Sequence, residues 1–286
     1  MGFSGKAILV KLAYLDQVDA ITLLALRMAF SVPFFIGVAL WARYNNATQL
    51  NRRDWGLVLA LGLIGYYLSS FLDFLGLQYI SAGLERLILF LYPTMTVLLS
   101  ALIYRRVIGR NTFAAMALSY TGIVLVFLHD VGMKEGGNVV LGASLVFAAT
   151  LSFSVYLVGA GHAIERIGAA RFTAYAMIVA SAASLLQFAL MRPMSALDLP
   201  LRVYELSIAM AIFSTVLPVF LLSWAIRHIG PGSASMIGVI GPISTIYLAN
   251  VFLHERISLL QIAGSVLVLV GVIMVSLGRL KGATKK

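Results

Sequence analysis

Apolar residues in this chain come in long runs, interrupted by short clusters of charged residues, Asn, Gly and Pro. A helix that crosses a bilayer needs about 20 predominantly apolar residues. Nine segments reach or approach that length: 20–41, 55–80, 81–104, 112–129, 139–162, 172–191, 206–226, 233–253 and 257–277. Barrel strands are short and alternate apolar with polar positions, and these runs do neither. The connections are short, so consecutive spans are predicted to be antiparallel neighbours. A tenth segment, 1–15, is short for a span and carries Lys6 and Lys11.

An internal repeat brings that segment back as a span. At an offset of 149 the stretch 80–122 falls on a second copy without gaps: Gly83 on Gly232, Ile88 on Ile237, Pro93 on Pro242, Thr96 on Thr245, Gly122 on Gly271. Apolar coincidences arise between any two membrane segments; shared Gly, Pro and Thr in one register are a stronger signal. The expected fold is therefore an all-α integral membrane protein of ten transmembrane helices in two five-helix repeats. The repeats cover 1–131 (helices 1–5) and 138–281 (helices 6–10). Five spans per half, an odd number, insert the second half upside down, the architecture of many secondary transporters. Phe3-Ser4 matches Phe153-Ser154, and helix six begins near Val139 or Leu141. The first helix is accordingly read as truncated by about nine to eleven residues.

Composition agrees. Residues are 61% hydrophobic and 11% charged, against roughly 25% charged in a soluble domain. A net charge of +10 would point to nucleic acid in a soluble protein, but here no exposed basic face exists to hold phosphates, and nucleic acid is excluded as a partner. With the N-terminus inside, inner segments hold thirteen Lys and Arg, outer loops four, and the spans four. That bias places both termini in the cytoplasm of a multi-pass protein of the plasma membrane, the inner membrane of a bacterium. The expected partners are lipid and a small-molecule solute. The chain has no cysteine, which excludes disulfides, thiolate metal sites and a Cys nucleophile. Its four histidines sit at helix ends without metal-ligand spacing, and neither GxSxG nor a P-loop occurs. No enzyme, cofactor or metal is expected.

Charges inside spans cost about 2.5–3.5 kcal/mol each on insertion scales. Six occur, all in the first half: Lys6, Lys11, Arg27, Asp73, Glu85 and Arg86. Their basic excess favours a solute carrying a carboxylate or other anion; interhelical salt bridges or snorkelling are the structural alternative. Helical spacing places Tyr66, Ser69 or Ser70, and Asp73 on one face of helix three, Glu85 with Tyr92 on helix four, and Ser152 with Tyr156 on helix six. Such stripes suit a solute cavity or interhelical hydrogen bonding. The run Gly230-Pro231-Gly232-Ser233-Ala234-Ser235, followed by Gly238, Gly241 and Pro242, marks a broken helix lining a cavity, or close helix packing.

Ala225-Ile226-Arg227-His228-Ile229-Gly230, Pro242, Leu253-His254-Glu255-Arg256-Ile257-Ser258 and Gln261, Gly264, Leu267 and Gly271 resemble the second repeat of EamA-type permeases of the drug/metabolite transporter superfamily. Leu77-Gln78-Tyr79-Ile80-Ser81-Ala82-Gly83, Pro93 and Gly122 resemble the first, and Arg27 sits where the family often has an Arg. The resemblance covers nearly the whole chain. It implies a permease that moves a small metabolite, often outward, by alternating access; Pro93, Pro242, Glu255 and Arg256 hold motif positions. Two departures stand out. Arg105-Arg106 replaces the Glu-Arg expected after helix four, and Gly241 stands where an acidic residue often precedes Pro242. The function expected is secondary export of a small polar metabolite, such as an amino acid or other carboxylate. The alternatives are a non-transporting scaffold or degenerate paralogue and, more remotely, an intramembrane enzyme.

Overall fold

The computed structural model describes residues 2–45, 50–103, 105, 109–133, 138–221, 224, 240–255 and 257–283. All regular secondary structure among these residues is helical. The chain begins with α1 (Gly2–Tyr14) and α2 (Ala20–Asn45). The third span is α3 (Arg52–Leu61), a π-helical segment Gly62–Leu68 and α4 (Ser69–Gly76). The fourth is α5 (Ala82–Leu89) and α6 (Tyr92–Ile103), and α7 (Arg110–Met133) follows. Then come α8 (Val139–Ile167), α9 (Ala169–Met191) and α10 (Leu201–Ala211), the last continuing into a π-helical segment Ile212–Val216. The described chain closes with α11 (Ile240–Leu253) and α12 (Leu259–Ala283).

Among the described residues, seven helices are long and apolar enough to cross a membrane. Two further apolar helices, Gly241–Leu253 and Leu259–Val275, are shorter. At 13 residues, α1 is about 20 Å long. Large apolar side chains such as Leu102, Leu190 and Leu259 are more than three-quarters exposed. That outer surface is at home against lipid.

Local chemistry explains several boundaries. Asn51 and Asp54 form a reciprocal capping box at the start of α3. Gly168 alone connects α8 to α9, at a φ of 91°, where a side chain would be strained. Pro93 has no amide to give to Leu89, and the fourth span breaks just before it, at Phe90 and Leu91. Hydroxyls of α8 satisfy carbonyls at that break: Thr150 donates to Ile88 at 3.3 Å and Ser154 to Tyr92 at 3.3 Å.

The most extensive helix contact joins α7 to α12. It is a small-residue seam of the kind that lets membrane helices approach closely. A Cβ on Gly271 would lie 2.4 Å from the Ala115 carbonyl, and one on Gly264 2.5 Å from the Gly122 carbonyl. Ser119 Oγ lies between these contacts, 3.5 Å from the Val268 carbonyl. The next most extensive contact joins α2 to α9. The main apolar core gathers Leu23, Leu24, Met28, Phe35, Phe74 and Met177.

Candidate functional site: a buried charged cluster

Helices α1, α2, α4 and α5 bring ionisable side chains from distant parts of the first half together in the interior. Lys6 on α1 donates to Asp73 Oδ2 on α4 at 2.6 Å, and its Nζ stands 3.7 Å from Glu85 Oε1 on α5. Asp73 is 1% exposed and Glu85 0%. Arg27 on α2 donates to Ser70 Oγ at 3.0 Å and lays its guanidinium over the Phe74 ring, 4.8 Å from the centroid. Ser70, Asp73 and Phe74 recur at helical spacing on α4, so one helix face serves both cations. Tyr14 fastens α1 to the same helix by donating to the Phe74 carbonyl at 2.7 Å.

The cations differ in how they are balanced. Lys6 has Asp73, and Lys11 stands 3.7 Å from Glu255 Oε1. Arg27 and Arg86 have no carboxylate at ion-pair distance among the described residues, and the Nε of each is buried without a hydrogen-bond partner. The Arg86 guanidinium packs against Gly241: a Cβ there would lie 2.9 Å from Nη2. Gly241 is thus the surface on which Arg86 rests.

Glu255 has a structural task. Its Oε1 accepts from the Ala82 amide at 3.1 Å, while Ser81 Oγ accepts from Leu84 N at 3.1 Å and Asp130 Oδ2 from Ser81 N at 3.3 Å. Three acceptors cap the start of α5, and Glu255 ties that cap to the end of α11. Arg256 and the run 230–235 lie outside the described residues, as does Gly238. Pro93 and Pro242 are buried in the first turns of α6 and α11.

The polar stripes expected on helices three and four are split. The π-helical segment inserts an extra residue per turn. Tyr66 and Ser69 face α8, where Tyr66 shares a 2.9 Å hydrogen bond with Tyr156 and Ser69 donates to the Ala149 carbonyl at 3.0 Å. Ser70 and Asp73 face α1 and α2. The break before Pro93 likewise interrupts the face expected for Glu85 and Tyr92. Tyr92 packs edge-on against Phe90 and Phe153. On α8 the expected pair keeps a common neighbour, since Ser152 donates to the Ile64 carbonyl at 2.6 Å and Tyr156 meets Tyr66. Tyr66 and Tyr156 are thus bonded to each other, and Ser69 and Ser152 to backbone carbonyls.

Ion pairs also clasp the ends of the bundle. Arg166 meets Asp54 at 3.1 Å at one end; Arg192 meets Asp19 at 3.1 Å and Arg202 stands 3.9 Å from Asp16 at the other. None was among the sequence candidates, nor were Tyr14 and Phe74. Asp19 and Asp54 did carry a signal: each is an acid in or just before the first turn of a helix.

A bundle of apolar helices around an ionic centre defines a polytopic membrane protein. Residues 2–128 and 140–277 match the EamA-like transporter family, and the chain belongs to that family. It is 30% identical over 269 residues to the uncharacterized transporter YcbK of Bacillus subtilis, covering 92% of this chain and 85% of that one. It is also 24% identical over 271 residues to an uncharacterized transporter of Synechocystis, covering 92% and 82%. An uncharacterized transporter of Archaeoglobus fulgidus is 25% identical over 256 residues, covering 89% of this chain and 88% of its own. A solved structure titled only as the crystal structure of a protein shares the fold at a TM-score of 0.62 and 20% identity. That match covers 96% of this chain and 95% of the other.

Proposed function

We propose that this membrane transporter exports a small polar metabolite bearing a carboxylate, such as an amino acid, by alternating access between halves 1–131 and 138–281. The observation that carries the reading is the imbalance at Arg27. A buried guanidinium without a counter-anion is costly, and a solute carboxylate is a natural complement because it can accept two parallel N–H bonds from the fork. Lys6 and Lys11, equal candidates in the sequence, already have acids. The outward direction rests on the family resemblance. The charge bias supports a bacterial inner membrane with both termini in the cytoplasm.

The offset of 149 supports the two halves. It carries the start of α2 onto α9, α3 onto α10, α6 onto Gly241 in the first turn of α11, and α7 onto α12. It also lays the π-helical segment Ile212–Val216 inside the span of Gly62–Leu68. The α7–α12 seam reads the same from either side: Gly122 meets Gly264, the repeat mate of Ala115, while Ala115 meets Gly271, the repeat mate of Gly122.

The test is thermal unfolding of the purified protein against a panel of amino acids and small carboxylates. A solute that binds only the folded form stabilises it by about 2.7 kcal/mol at 100 times its Kd. At least one member should raise the melting temperature of the wild type and leave Arg27→Gln unmoved. If no solute shifts the wild type, and Arg27→Gln only melts earlier, the cluster is architecture.

A further inference from the structure

The cluster has acceptors without donors, and from this we infer that Glu85, with Asp73 across the same ammonium, is a proton-binding site. Both oxygens of Glu85 and Oδ1 of Asp73 are buried with no hydrogen-bond partner among the described residues. Lys6 gives its hydrogen bond to Asp73 at 2.6 Å and remains 3.7 Å from Glu85. An ionised carboxylate can only accept, whereas a protonated one carries an O–H to donate. One proton from the aqueous phase, bonded to one carboxylate oxygen, supplies the missing donor. It also relieves the repulsion between two carboxylates that share the Lys6 ammonium.

Apart from Arg27 and Arg86, the surrounding charged and polar groups are otherwise engaged. On α1, Lys11 stands against Glu255, and Tyr14 donates to the Phe74 carbonyl. At the end of α7, Asp130 accepts from the Ser81 amide, with His129 3.7 Å from it. Glu255, after α11, takes the Ala82 amide. On α8, Tyr156 is bonded to Tyr66. On α5 itself, Arg86 packs against Gly241 and has no carboxylate, Glu85 included, at ion-pair distance among the described residues. The amides that open α5 are taken by Ser81, Asp130 and Glu255, so none of these turns to Glu85.

The coupling step rests on the transport reading; the proton site does not. A solute whose carboxylate seats on Arg27 reaches the α4 face that also carries Asp73. If it bears an ammonium, that group brings N–H donors and a positive charge to the orphan oxygens, and the bound proton leaves to water. Proton and solute then exchange at one pair of carboxylates, and a proton gradient can drive the solute the opposite way.

Infrared spectroscopy of the full chain in lipid bilayers, titrated with pH and without any solute, tests the site alone. The wild type should show the stretch of a buried protonated carboxyl, one per chain, that disappears as pH rises. Glu85→Gln should abolish it. Asp73→Asn should abolish it too, because Lys6 is then free to pair with Glu85. Lys6→Gln should carry its midpoint upward by about 1–3 pH units. Asp198→Asn, on an exposed loop, should change nothing. A wild type without the band, or a band that survives in a folded Glu85→Gln protein, overturns the proposal. Should Glu85→Gln fail to fold, an unmoved midpoint in Lys6→Gln overturns it equally. Neither failure touches the solute-binding test.

Discussion

Glu255 is a motif residue whose side chain works as a helix cap for the other half of the chain. Losing a cap costs about 0.5–2 kcal/mol. Glu255→Ala should therefore lower the melting temperature, and Glu255→Gln, which can still accept from Ala82, should lower it less. Equal losses in the two would mean that the charge toward Lys11 matters and the cap does not. The first repeat's departure has a matching reason in the sequence. At the repeat offset Glu255 falls on Arg106 and Ala82 on Pro231. Proline has no amide for a carboxylate to cap. Asp19 caps α2 in the same manner, accepting from Ile21 N, Thr22 N and Thr22 Oγ1, with Arg192 beside it. Partial burial pushes its carboxyl up, but the Thr22 and Arg192 hydrogen bonds together outweigh this and hold it below the ordinary range. A carboxyl held low by folding stabilises the fold above its unfolded value, and that contribution fades as pH falls through the folded one. Melting curves taken at decreasing pH should show this acid limb in the wild type and a flatter one in Asp19→Asn.

Helix existence was legible at the scale of elements because long apolar runs admit little else in a bilayer. What the runs concealed was their interruptions. Nothing in Gly62–Leu68 announces a π-helical segment, and the periodicity of Tyr66, Ser70 and Asp73 reads as one face although their hydrogen bonds run to different helices. Pro93 did announce the break in the fourth span, and the Glu85–Tyr92 face was expected across it all the same. Arg27, Asp73, Glu85 and Arg86 stand out in the sequence, because charge in an apolar run is conspicuous. The pairing of charges does not, since Lys6 with Asp73 and Lys11 with Glu255 join residues far apart in the chain. The α7–α12 seam gives an element-scale prediction. Gly271→Ala puts a methyl group into the Ala115 backbone, and overpacking of this kind costs about 1–3 kcal/mol. Gly37 faces open space, so Gly37→Ala should raise stability by about 0.5–1 kcal/mol. Opposite signs in paired unfolding curves would establish the seam; a neutral Gly271→Ala would remove it.

At the scale of the molecule, apolar helices surround an ionic centre in which Arg27 and Arg86 have no carboxylate at ion-pair distance among the described residues. Ion pairs at both ends hold helices together, Asp54 with Arg166 and Asp19 with Arg192. Orientation is open to a simple check: a C-terminal reporter that fluoresces only in the cytoplasm should light up, and a dark but folded fusion would invert the topology. The central claim is that a carboxylate-bearing solute crosses the membrane through the site at Arg27. Counterflow in proteoliposomes measures this directly. Vesicles loaded with an unlabelled amino acid or carboxylate picked by thermal shift should accumulate the labelled compound from outside. Vesicles carrying folded Arg27→Gln should not accumulate it beyond the level of protein-free liposomes. Equal accumulation by wild type and Arg27→Gln, or none by the wild type, would contradict the account.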